Sequence, residues 1–162
     1  MNESHSQETF YKQAESANMF VNTANYSEPL VLIVEPDDDA RFMLKTLLEM
    51  WNYRILEARN VEESIRLAME NCPNLILLDT TLQYTDTLAS LRRLRRITEY
   101  GAVPIIFLSG HAQPTLCELV LALGANDLLV KPVDYDHLRK TLRRQSKKNK
   151  KRLGEIFGGI NQ

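Results

Sequence analysis

The chain has 162 residues, 44% hydrophobic and 25% charged, enough to bury a core without disulfides or metal clips. That length fits one domain with tails, and Cys72 and Cys117 show no CxxC spacing, so they read as thiols of a reducing compartment. No apolar run approaches the ~18 residues that span a bilayer. Met1 to Asn25 also lacks the basic and apolar blocks of a signal peptide, which together predicts a cytoplasmic protein with no membrane partner.

The net charge of −1 conceals a segregation. Nine Lys or Arg and no acid lie between Arg139 and Arg152, which leaves the remainder at −10, with 11 basic residues against 21 acidic ones. An acidic body with a basic C-terminal segment is therefore expected.

Residues 1–28 carry no sustained hydrophobic period and read as a flexible arm, with room for a short helix between Phe10 and Phe20. The pattern changes at Leu30. Leu30-Val31-Leu32-Ile33-Val34 is a continuous apolar run, as in a strand buried on both faces. Ala40, Met43, Leu44, Leu47, Leu48 and Trp51 then recur at helical spacing, with Asp38 or Asp39 placed to cap. A short strand is predicted from Arg54 to Ala58. A helix follows from Val61 to about Asn71, with Asn60 as N-cap and Glu63 in the capping-box position. Leu75 to Leu78 is a third strand, stopped by Asp79. Leu88, Leu91 and Leu94 lie on a helix that ends near Gly101, whose Arg92, Arg93, Arg95 and Arg96 are expected to form a solvated face. Val103 to Leu108 is a fourth strand, Pro114 opens the next helix and Gly124 closes it. Leu128 to Val130 is the fifth strand. Tyr135, Leu138 and Leu142 mark a last helix, and a flexible basic tail is expected over 146–162.

Strands alternating with helices imply right-handed crossovers and a parallel sheet, so 29–145 is predicted to be a doubly wound α/β domain of five strands. Ligands of such sheets bind beyond the carboxyl ends of the strands. Strand one is followed there by Glu35, Pro36, Asp37, Asp38 and Asp39, strand three by Asp79, strand four by Ser109 and Gly110, and strand five by Lys131 and Pro132. Carboxylates gathered in this way call for a cation, and oxygen ligands completed by water suit Mg²⁺. A carboxylate can also act as nucleophile and form an aspartyl phosphate, with Mg²⁺ and Lys131 neutralising the phosphoryl oxygens and Ser109 donating to them. Asp37 to Asp39 read first as cap and first-turn charges. His111 reads as a surface loop residue, and His5 and His137 carry no signal.

Four segments, in order and each at its own strand end, resemble the receiver domain of two-component response regulators. They are Leu32-Ile33-Val34-Glu35-Pro36-Asp37, Leu75 to Asp79, Pro104 to Gly110, and Gly124 to Pro132. The resemblance covers roughly Leu30 to Arg144. It implies a flavodoxin-like (βα)5 fold with Asp79 as phosphoacceptor, Ser109 as switch hydroxyl and Lys131 as the phosphate's partner. It also implies Mg²⁺ held by Glu35, Asp79 and Thr81, and a Lys131–Pro132 bond that is usually cis in the family. The implied partners are a histidine kinase or phosphotransfer protein as donor and a downstream protein as target. Nucleic acid is limited to weak contact through the basic tail, since no aromatic residue interleaves it and no helix-turn-helix follows. Four positions depart from the family pattern: Pro36 replaces the second of two adjacent acids, Gln83 and Thr87 replace a Pro and a Gly, and Leu128 replaces an aromatic residue. These departures define a competing reading, a pseudo-receiver that binds partners without phosphorylation. An enzymatic role is not expected: aspartyl phosphatases need a second Asp two residues after the first, where this chain has Thr81, and no Gly-rich nucleotide loop occurs.

Overall fold

The computed structural model describes residues 28–80, 84–98, 103–111 and 113–157. The expected N-terminal arm, its short helix, Thr81 and Gln83 lie outside them, as does the side chain of Thr87.

Five strands, β1 (Leu30–Val34), β2 (Arg54–Ala58), β3 (Leu75–Thr80), β4 (Ile105–Ser109) and β5 (Asp127–Val130), form one parallel sheet in the order β2-β1-β3-β4-β5. Five helices alternate with them: α1 (Asp38–Met50), α2 (Val61–Asn71), α3 (Tyr84–Thr98), α4 (Pro114–Ala122) and α5 (Tyr135–Phe157). Period-two alternation sorts the central strands into two cores. Leu32, Val34, Ile76, Leu78, Ile105 and Phe107 pack with Ala68 of α2, Leu91 and Leu94 of α3, and Leu116 and Val120 of α4. Val31, Ile33, Leu75, Leu77, Ile106 and Leu108 pack with Leu48 of α1 and Leu138 and Leu142 of α5. The chain thus winds both ways from β1, and the order reverses between β1 and β3, where such sheets open a crevice at their carboxyl ends.

Local chemistry sets most boundaries. Asn60 Oδ1 accepts from the Glu63 amide at 2.8 Å, and the Glu63 carboxylate accepts from the Arg59 amide at 2.9 Å, closing the expected capping box one residue early. Pro114 occupies the first turn of α4. Gly124 takes φ 107 where the chain turns towards β5, and a Cβ there would lie 2.9 Å from the Arg95 side chain.

Five expectations need correction. The cap of α1 is Asp37, whose side chain accepts from the Ala40 amide, because one residue of extended backbone separates Glu35–Pro36 from the first turn. β3 does not stop at Asp79 but pairs on through Thr80, opposite Ser109. β4 begins at Ile105, after Pro104, which cannot donate to the ladder. Arg95 does not join a solvated face: its guanidinium donates to Gly124 O and Val103 O, each at 2.9 Å, and ties α3 to the turn before β5. The basic segment is not a flexible tail from residue 146, since α5 runs unbroken to Phe157. Gln145 and Asn149 extend its inward stripe by two turns, and Asn149 Nδ2 donates to Asn74 O at 3.0 Å.

Candidate functional site

Strand parity delivers three charged side chains to one place. Glu35 continues the Val31–Ile33 side of β1, Asp79 the Leu75–Leu77 side of β3, and Lys131 follows Leu129 of β5, all on the α1/α5 side of the sheet. The Glu35 amide donates to Ala58 O at 3.0 Å, so the residue is fixed as the strand ends. Its Oε1 accepts from the Asp37 amide at 2.8 Å, and its other oxygen turns towards β3. Glu35 is wholly buried and Asp79 is 2% exposed. Lys131 Nζ lies 2.5 Å from Asp79 Oδ2 and 3.9 Å from Glu35 Oε2. Lys131 is itself held by its amide, which donates to Ser109 O at 2.8 Å, and the Lys131–Pro132 bond is cis, as expected.

The electrostatics are unbalanced. Glu35 Oε2 and Asp79 Oδ1 are buried acceptors with no donor among the described residues. Two carboxylates in contact cannot hydrogen-bond unless one carries a proton. Burial, followed by the bond to Asp79, accordingly raises Glu35 to about 7, against opposing effects of the Asp37 amide and Lys131. A cation would relieve the same conflict. Two hard oxygen donors facing a shared space fit Mg²⁺, which keeps waters on its remaining positions. Glu35 and Asp79 would hold it. Among the described residues no cluster of three or more His, Cys, Asp or Glu side chains forms a fuller cage, and Asp37 caps its helix.

Ser109 is buried at the end of β4, but its hydroxyl engages its own loop: Oγ donates to His111 O at 3.0 Å and accepts from the His111 amide at 3.1 Å. It follows Phe107 on the opposite face of the sheet and pairs with Thr80 rather than Asp79. Glu35, Asp79 and Lys131 are thus in mutual contact, with Ser109 one register step away. His111 is exposed, as expected of a loop residue.

Arg41 is the residue that sequence reasoning missed. It is buried, its Nη1 donates to Glu35 O at 2.9 Å, its Nη2 pairs with Asp38, and its Nε lies 3.6 Å from Glu57. It thus clamps the loop that carries Glu35. The available signal was an Arg three residues after Asp38, one turn into an amphipathic helix.

The family model of the response regulator receiver domain matches residues 31–143, and the chain belongs to that family. Protein PilH of Pseudomonas aeruginosa is 30% identical over 112 residues, which are 69% of this chain and 93% of PilH. KdpE, a transcriptional regulatory protein of the Escherichia coli KDP operon, is 35% identical over 113 residues, 70% of this chain and 49% of KdpE. The match to ZraR of E. coli, at 27% identity, spans only 25% of that longer regulator. Among solved structures, chemotaxis protein CheY4 of Vibrio cholerae superposes with a TM-score of 0.66 at 25% identity, covering 73% of this chain and 98% of CheY4. The sheet order and the flavodoxin-like fold are those of this family. Among the described residues no helix is long and apolar enough to cross a membrane.

Proposed function

We propose that this chain is a phosphoryl-accepting switch of a two-component pathway, with Asp79 as the acceptor and Mg²⁺ as the required cation. The observation that carries the reading is the state of Asp79. It is buried at the carboxyl end of the central strand beside Glu35, bound through one oxygen to Lys131, and its other oxygen has no donor among the described residues.

Transfer is a displacement at phosphorus. A carboxylate oxygen of Asp79 bonds to phosphorus while the bond to the donor's nitrogen or oxygen breaks, and the electron pair leaves with the donor, which takes up a proton. Mg²⁺, when bound, neutralises charge on the phosphoryl oxygens. Lys131 moves its ammonium from the Asp79 carboxylate to the new phosphoryl group. Ser109 gives up its bond to His111 O and donates to a phosphoryl oxygen instead, which would pass the event to the loop after β4 and to α4. Glu35 and Asp79 would hold the cation, with Thr81, which lies outside the described residues, as the third proposed ligand. The donor is a histidine kinase or phosphotransfer protein, the output is a protein target, and the setting is the cytoplasm. The chain works as a signalling module rather than as an enzyme.

The test is labelling by a small phosphodonor such as acetyl phosphate, with and without Mg²⁺, on wild type and Asp79→Asn. Label that needs Mg²⁺ and disappears in the variant is the expected result; equal labelling of the two proteins would refute the assignment. Pro36 favours one rival, a pseudo-receiver that binds partners without the phosphoryl switch. Absence of label at any Mg²⁺ concentration in a folded protein would select it, and recovery of label in Pro36→Asp would identify the missing carboxylate as the reason.

A further inference from the structure

We propose that the outward face of α5 binds the phosphate backbone of double-helical nucleic acid, independently of the site at the strand ends. Leu138, Leu142, Gln145 and Asn149 turn inward and are buried. At about 100° per residue, every position from 139 to 151 on the opposite half of the helix is Lys or Arg. These are Arg139, Lys140, Arg143, Arg144, Lys147, Lys148, Lys150 and Lys151. All but Arg139 are exposed. Arg139 lies against Trp51 at 5.6 Å, Arg144 pairs with Asp127, and Lys151 Nζ is 3.9 Å from Glu155. The remaining five have no ion pair among the described residues.

The character of this face selects its occupant. A membrane-surface helix needs an apolar stripe to insert, and the inward stripe of α5 is spent on the sheet and on Asn74. A protein partner is normally anchored by buried apolar or aromatic side chains, and from 139 to 151 the outward face offers none. A surface made only of cations suits a polyanion of regular spacing. Cations recur at each turn over about 18 Å of helix, a length over which duplex DNA carries about ten phosphates, roughly half of them on one side. Because α5 is half embedded it cannot enter a groove along its length, so it contacts backbone phosphates and reads no base sequence.

The experiment is fluorescence anisotropy of a labelled 20-base-pair DNA duplex titrated with the full chain from 50 to 200 mM NaCl. Neutralising four to five phosphates gives a slope of about −4 in log K against log salt, or a loss of roughly 250-fold over that range. A duplex of scrambled sequence should bind equally. Lys140→Glu/Lys147→Glu/Lys150→Glu should weaken binding at least ~50-fold at 50 mM salt, and the corresponding triple Arg variant should bind like wild type. Failure to saturate below about 100 µM at 50 mM salt, or a slope shallower than about −1, would overturn the proposal. So would tighter binding to poly-glutamate or to phosphatidylglycerol vesicles at the same salt, which would assign the face to an acidic protein or a membrane. The salt slope of the wild type decides the matter even if the Glu variant does not fold.

Discussion

Lys131 and Asp79 should shift stability in opposite directions when each is removed. In the metal-free protein one ammonium serves two buried carboxylates, at 2.5 Å from Asp79 and 3.9 Å from Glu35. Removing one member of a buried ion pair costs ~3–5 kcal/mol. Lys131 keeps 32% of its side chain exposed, so water replaces part of the loss, and Lys131→Met is expected to cost about 2 kcal/mol. Asp79→Asn does the reverse. It removes one of two opposed acceptors and supplies an amide that can donate to Glu35 Oε2, a buried atom with no donor among the described residues. Satisfying such a group is worth roughly 1–2 kcal/mol. In the Asp79→Asn background the Lys131 substitution should cost less, with a coupling of about 1–2 kcal/mol between two groups in direct contact. Urea unfolding in EDTA at pH 8, followed by Trp51 fluorescence, measures all four corners of the cycle. Loss of more than ~1 kcal/mol in Asp79→Asn, or none in Lys131→Met, would show that the site is not electrostatically frustrated and would remove the argument for a cation there.

The pH dependence carries its own sign. Glu35 is held at about 7 against an ordinary 4.5, so between those values the folded state binds more protons than the unfolded one. In EDTA, stability should be greatest below pH 4.5 as far as this group is concerned and fall by up to about 3 kcal/mol as pH rises through 7. Glu35→Gln should flatten that slope in urea titrations at pH 5 and 8. Arg41→Met leaves Glu35 O without its side-chain donor and leaves Asp38 paired with Arg59 alone; a loss of about 2 kcal/mol and weaker Mg²⁺ binding are expected, and unchanged calorimetric Mg²⁺ affinity would deny the clamp. Phe107→Ala empties a fully buried position in the α2/α3/α4 core and should cost ~3–5 kcal/mol in the same denaturation assay.

The centre of the sheet was legible because β1, β3 and β4 are buried on both faces. Runs such as Leu30 to Val34 and Leu75 to Leu78 have no polar alternation to confuse with an amphipathic helix. The carboxyl ends of β1 and β5 were legible too, because Glu35 and Lys131 are the first charged residues after their runs, whereas β3 pairs one residue past Asp79. Parity then brought Glu35, Asp79 and Lys131 together. What escaped was chemistry that depends on three-dimensional partners. Arg95 looks like one of four equivalent arginines, and only the turn at Gly124 distinguishes it. The pattern of its helix offers Arg41 only Asp38 as a partner, because Glu35 O and Glu57 come from two different strand ends. The end of α5 was misplaced because Gln145 and Asn149 are polar. Their burial depends on groups such as Asn74 O, which no periodicity of apolar residues reveals. Ser109 was correctly expected at a strand end, yet its hydroxyl orientation follows from the His111 backbone, a loop property invisible in composition.

On the proposed reading, charge counting explains what Pro36 does to the site. With both carboxylates ionised, Glu35, Asp79 and Lys131 sum to −1, and because burial and Asp79 raise Glu35 to about 7, its protonation brings the metal-free site to neutrality as pH falls below that value. A divalent cation on the ionised site takes the sum to +1. Phosphorylation replaces the single charge of Asp79 by about −2, and the metal-bound sum returns to zero. With a second acid in place of Pro36 the same steps would run −2, 0 and −1, so the unphosphorylated metal complex would be the neutral state. Pro36 therefore moves electrostatic balance from the resting metal-bound form to the phosphorylated one. Mg²⁺ should bind less tightly at rest, and Mg²⁺ and phosphoryl group should reinforce one another more strongly than they would in Pro36→Asp. By linkage that reinforcement is reciprocal. Mg²⁺ affinity, measured by calorimetry with and without a phosphoryl analogue such as beryllofluoride, should rise by a larger factor in this chain than in that variant. An equal or smaller factor would mean that Pro36 shapes the loop without setting the charge balance of the site.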